Sequence, residues 1–188
     1  VHDMFANLET LILSLAHTLP LPQYVFFASI IEEVIVPIPS PTVMVIAGLS
    51  ASLQGWAPMG LIVLACIGAV GKTIGALVVY YISDKGENVI LGRFGRFFNV
   101  SHEDVERLGN KLGNGYRDYI MLTVLRALPI VPSVIVSVGS GVLKIKKSLF
   151  VVSTFLGTII RDGFYLYAGY VGTDVFADFI RSSTHIET

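Results

Sequence analysis

The chain has 188 residues, a formal net charge of -1 and a pI of about 6.5, so it has no basic field that would draw nucleic acid to its surface. Charged residues make up 14% and apolar residues 53%, with 18 glycines besides and a mean hydropathy of +0.71. An ordinary soluble domain carries roughly 25% charged residues; too few polar side chains are present here to clothe a water-soluble globule, and the sequence reads as a membrane protein.

The start carries Asp3 and Glu9 where a secretory leader would be basic, so no leader is read there. Met4 to Leu19 is apolar but short, which suits an interfacial or packed helix better than a span. Crossing the hydrocarbon takes about 20 apolar residues, at about 1.5 Å of rise each over about 30 Å. Leu21 to Leu53 is long enough in total but is broken by Pro37-Ile38-Pro39-Ser40-Pro41. Prolines remove backbone donors and clash with the preceding turn, so this stretch reads as two half-helices in a re-entrant hairpin, with a proline-kinked span as the alternative. Pro58 to Ser83 is a clean span interrupted by Lys72 alone; its Cys66 reads as a small buried hydrophobe.

A polar island follows. Asp84 to Asp118 holds 6 Lys/Arg and 6 Asp/Glu, 12 of the 27 charged residues. Within it, Ile90, Phe94, Phe97 and Phe98 share one helical face, which suits a helix in the headgroup plane. Ser101-His102-Glu103-Asp104 resembles a capping box, and Gly113-Asn114-Gly115 stops the helix after it. Tyr119 to Leu143 is a second apolar stretch, broken at Pro129-Ile130-Val131-Pro132, and Ser148 to Gly172 a second span, carrying Arg161 and Asp162.

The two halves share landmarks. Glu33 aligns with Arg126, Pro39 with Pro132 and Gly48 with Gly141 at a spacing of 93 residues; Gly68 aligns with Gly157, Lys72 with Arg161 and Tyr81 with Tyr170 at 89. The expected architecture is an all-α polytopic membrane protein with two inverted repeats, each a re-entrant helical hairpin plus a transmembrane helix. Residues 1–188 form one membrane domain: repeat one 21–83, an interfacial linker 84–118, repeat two 119–172 and a short tail 173–188. Lys/Arg in short loops stay cytoplasmic. Under this topology the island and Lys144-Ile145-Lys146-Lys147 face one side, and the uncharged Gln54-Gly55-Trp56 loop the other.

Six ionisable side chains lie in the apolar segments: Glu32, Glu33, Lys72, Arg126, Arg161 and Asp162. Unpaired charge at membrane depth costs about 2.5 kcal/mol or more, so such groups face a cavity or one another. Structural ion pairing, for instance of Arg161 with a carboxylate of the other half, is the plain alternative to a binding role. Half-helices starting after Pro39 and Pro132 would aim their N-terminal amides at the membrane centre. With Arg126 they would make a site for a phosphate headgroup, with Ser40 and Ser133 at the helix starts. Glu32 or Glu33 is the candidate proton carrier; neighbours on a helix diverge by about 100°, so the sequence does not choose between them.

Glu32 with Pro37-Ile38-Pro39 and Ala47-Gly48 resembles the first signature of the DedA family (VTT or SNARE-associated domain). Leu125-Arg126-Ala127-Leu128-Pro129, Gly139-Ser140-Gly141-Val142-Leu143 and Ala168-Gly169-Tyr170-Val171-Gly172 resemble its second. The resemblance covers about residues 20 to 172. It implies an integral membrane protein with two facing re-entrant loops that moves phospholipids or polyprenyl-phosphate carriers between leaflets, in bacteria with a dependence on proton motive force. Ser40 and Pro41 stand where the family often has Gly and an acid, and Pro132 where many members carry a second Arg; only Glu32 and Arg126 carry over, and the coupling ion stays open. The expected function is translocation of an anionic lipid in the cell membrane, without cofactor or metal and without enzymatic chemistry. The substrate-binding set is Arg126, Glu32, Glu33, Ser40, Ser133, Lys72, Arg161 and Asp162. Two alternatives remain. One is an intramembrane lipid-modifying hydrolase, for which Ser140 between glycines could imitate a nucleophile although all four His lie outside the spans. The other is a non-catalytic assembly protein, for which Gly71 and Gly75 form a small-xxx-small pattern that leaves a homo-oligomer open.

Overall fold

A computed structural model describes residues 18–34, 41–86, 115–129 and 131–184. The Pro37–Ser40 break, Ile130, most of the N-terminal stretch, both expected island helices and all four His lie outside the described residues. The described chain forms six helices and no strand: α1 Leu21–Val34, α2 Pro41–Leu53, α3 Met59–Lys85, α4 Tyr116–Ala127, α5 Ser133–Val142 and α6 Lys147–Thr184. Met59–Lys85 and Lys147–Gly172 are long and apolar enough to cross a membrane. Helix α6 runs on to Thr184, through residues read from sequence as a tail; no proline stands between Gly172 and Thr184 to stop it.

The second apolar stretch is broken rather than kinked. Helix α4 ends at Ala127, and Leu128 is extended with φ -69° and ψ 124°, the conformation that a following proline imposes on its neighbour. Pro132 is extended as well, and α5 starts beside it.

Packing is crosswise. Helix α1 lies on α3 and α4 on α6, whereas α2 lies on α6, α5 lies on α3, and the two long helices pack on one another. Close backbone approach makes this possible. A Cβ on Gly48 would strike the Leu166 carbonyl, one on Gly169 the Val45 carbonyl, and one on Gly141 the Tyr80 carbonyl.

The turns after α2 and α5 carry the same hydrogen bonds 89 residues apart. Gln54 N–H bonds to Ser50 C=O (3.0 Å), Gly55 to Ser52 (3.0 Å) and Trp56 to Ala51 (2.9 Å). Leu143 bonds to Gly139 (2.9 Å), Lys144 to Gly141 (3.1 Å) and Ile145 to Ser140 (3.0 Å). Gly55 and Lys144 both take the left-handed region, at φ 70° and 49°. Each turn is then tied to the long helix on which its arm lies: Tyr170 donates to the Trp56 carbonyl and Tyr80 to the Ile145 carbonyl, both at 2.8 Å.

The solvent logic of a soluble protein is reversed here. Val70, Ile74, Val78 and Ile82 of α3, and Val152, Leu156, Ile160 and Phe164 of α6, form exposed apolar stripes at helical spacing. Lys72, Arg161 and Asp162, away from the ends of these helices, lie inside.

Candidate functional site

Among the described residues six acidic and basic side chains converge in the interior, each no more than 5% exposed: Glu32, Glu33, Lys72, Arg126, Arg161 and Asp162. Glu32 and Glu33 sit in the last turn of α1, Lys72 midway along α3, Arg126 in the last turn of α4, and Arg161 and Asp162 in α6. Charges cancel three against three, as burial in a low dielectric demands.

The consecutive acids serve different cations. Glu33 Oε1 lies 3.2 Å from Arg126 Nη1. Ser137 joins them: Arg126 Nη2 donates to its Oγ at 2.8 Å, and its one proton has Glu33 Oε1 at 3.0 Å and the Ser133 carbonyl at 3.2 Å within reach. The Phe150 ring backs the guanidinium, 5.1 Å from Arg126 Cζ. Glu32 instead meets Lys72, with Oε1 3.3 Å from Nζ, and Lys72 also donates to Asp162 Oδ1 at 2.8 Å. Both acids fit inside because α1 lies on α3 on one side and its last turn reaches α4 and α5 on the other.

Arg161 differs from the other two cations. Its Nε and Nη2 are buried and have no hydrogen-bond partner. The ion pair across the two halves, offered for Arg161 as the alternative to a binding role, is made by Lys72 instead: Asp162, the neighbour of Arg161, turns to α3. Arg126, expected to hold phosphate, meets Glu33 and Ser137 through its two Nη atoms, and its Nε is buried without a partner. Ser133 is buried at the start of α5, and its carbonyl rather than its hydroxyl takes part in the site; Ser40 lies outside the described residues.

Sequence reasoning missed Ser137, and with it Tyr24, Ser29, Thr154 and Thr158, whose hydroxyls are buried without partners. The available signal was spacing: Ser137 lies one turn beyond Ser133, and Thr158 and Thr154 lie three and seven residues before Arg161. Ser140 is buried behind Gly141. Among the described residues no group of three His, Cys, Asp or Glu is placed to hold a metal ion.

The VTT domain model matches residues 35–171. Two curated relatives are each called "Alkaline phosphatase-like protein": that of Lactococcus lactis subsp. cremoris is 30% identical over 141 residues, and that of Lactococcus lactis subsp. lactis 29% identical over 141 residues. Each alignment covers 72% of this chain and 63% of the relative, so the chain spans rather less than two thirds of their length. No solved structure matches significantly.

Proposed function

This chain belongs to the VTT domain (DedA) family, and on that premise we propose that it is a multi-pass protein of the cell membrane that carries a phosphate-bearing anionic lipid between leaflets. The observation that carries the reading is a charge-balanced set of six ionisable groups inside a bundle whose outer face is apolar. A lipid must pass its polar head through the hydrocarbon while its tails stay in it, and a polar interior with an apolar exterior answers both needs.

In this reading, α1–α2 and α4–α5 are re-entrant hairpins entering from opposite sides, and with α3 and α6 they make two inverted repeats. Support comes from the repeated turn hydrogen bonds, the paired left-handed residues and the crosswise packing. Broken helices meeting between inverted repeats are a common way to build a transporter's substrate site. The Glu33–Arg126 pair joins positions equivalent in the two repeats, so it lies near the axis relating them and can persist while the halves rock. Glu32 is the proton carrier of choice over Glu33: its Oε2 has no partner, whereas Glu33 is held by Arg126 and Ser137.

The relatives' name raises a second reading, phosphoester hydrolysis. One experiment separates the two. The full chain in liposomes is given a headgroup-labelled phospholipid in one leaflet, and label position and lipid mass are followed. We expect the label to cross with its mass unchanged. Loss of the phosphate would establish the hydrolase, and a label that neither crosses nor changes would leave an assembly role.

A further inference from the structure

Among the described residues the interior holds one guanidinium without an acid on it. We infer that Arg161, with Thr158 and Thr154, binds the phosphate group of the ligand, while Arg126 serves as a latch between the two halves. This assignment builds on the lipid-transfer reading.

The first argument is the identity of the orphaned atoms. Arg161 Nε and Nη2 form one edge of the guanidinium, the pair of parallel donors that matches two oxygens of a planar or tetrahedral oxyanion. Both are buried without a partner. A charged group in that state is costly unless a ligand completes it.

The second argument is the company it keeps. Residues 154, 158 and 161 share one face of α6, and Thr154 Oγ1 and Thr158 Oγ1 are likewise buried and unpartnered. The stripe is flanked by Gly157, whose Cβ would meet Arg126 and Thr123 of α4, and by Asp162, which reaches Lys72 of α3. It therefore looks into the seam between α3 and α4, helices that both pack on α6. Two hydroxyls beside a bidentate fork spread donors over more directions than one plane, which suits the tetrahedral oxygens of a phosphate.

The third argument is asymmetry between equivalent positions. Lys72, the counterpart of Arg161, is neutralised by Asp162 and Glu32. The residue after Lys72 is Thr73 and the residue after Arg161 is Asp162, whose Oδ1 accepts from Lys72 while its Oδ2 is buried without a partner. Arg161 acts electrostatically on Glu32, Lys72, Asp162 and Arg126, and none of the acids docks on its fork.

The test uses the full chain purified in uncharged detergent, with dihexanoyl phosphatidic acid and inorganic phosphate as separate probes. Arg161→Met should weaken phosphatidic acid binding at least tenfold, and Thr154→Val with Thr158→Val, which preserve shape, about threefold to tenfold. Unchanged affinity in Arg161→Met overturns the proposal, and unchanged affinity in the double threonine variant does so if Arg161→Met does not fold. Binding of inorganic phosphate but not of the lipid would keep the site and make free phosphate its ligand. Arg161-dependent lipid binding without label crossing in liposomes would remove the transfer reading alone; crossing that survives Arg161→Met would remove this site alone.

Discussion

Lys72 holds two carboxylates in a place from which water is excluded, so its removal leaves both uncompensated. Lys72→Met should cost about 3–5 kcal/mol of stability, read as a lowered melting temperature, and adding Asp162→Asn should recover part of it. The Glu33–Arg126 pair allows a sharper experiment. Glu33→Arg sets two guanidinium groups together and Arg126→Glu two carboxylates, so each alone should destabilise, while the double swap restores attraction. A positive coupling of about 1–3 kcal/mol in that cycle is expected; additivity would show that the pair does not interact. That these groups would be internal was legible in the sequence, because charge in an apolar segment has few other places to go. The pairing was not legible: it depends on side-chain direction across helices, and of the two arginines placed in the binding set Arg126 meets an acid while Arg161, for which ion pairing was the plain alternative, does not. Adjacent acids on α1 were ambiguous in sequence because only packing on both sides could reveal that both point inward.

At the level of elements, the crosswise contacts rest on missing side chains. Gly48→Ala would drive a methyl into the Leu166 carbonyl, and α2 and α6 must part; about 1–3 kcal/mol should be lost. Gly139→Ala meets nothing within 4 Å and should be neutral or stabilising by up to about 1 kcal/mol. Thermal melting of the two variants side by side checks the contrast. Gly55→Ala likewise meets no atom, yet at φ 70° it should lose about 1–2 kcal/mol through backbone strain alone. The two long helices were readable to within two or three residues at their starts and at the end of α3, since length and hydropathy fix a span. Leu128 was readable as a break through Pro129. The offset of the repeat was only partly so: Gly48 and Gly141 both press on carbonyls of a long helix, but the turn match at a spacing of 89 begins at Ser50 and Gly139, before the ends of α2 and α5. Helix length, 13 residues against 10, absorbs three of the four residues between the two spacings.

For the whole molecule, the proposed inverted repeats put the turn after α2 and the turn after α5 on opposite sides of the bilayer. In sealed vesicles of a Cys66→Ala background, Gln54→Cys should react with an impermeant thiol reagent from one face and Lys146→Cys from the other. Reaction of both from the same face would reject the hairpins. The separation between Lys72 and its acid Asp162 has a further meaning for biogenesis. Asp162 lies 90 residues downstream, which at about 5–20 residues per second leaves the ribosome-bound first half with an incomplete counterion set for roughly 5–20 s. In the proposed topology α3 spends that interval with Lys72 only partly neutralised, and a nascent chain that stalls before Asp162 would carry an unfinished charge set.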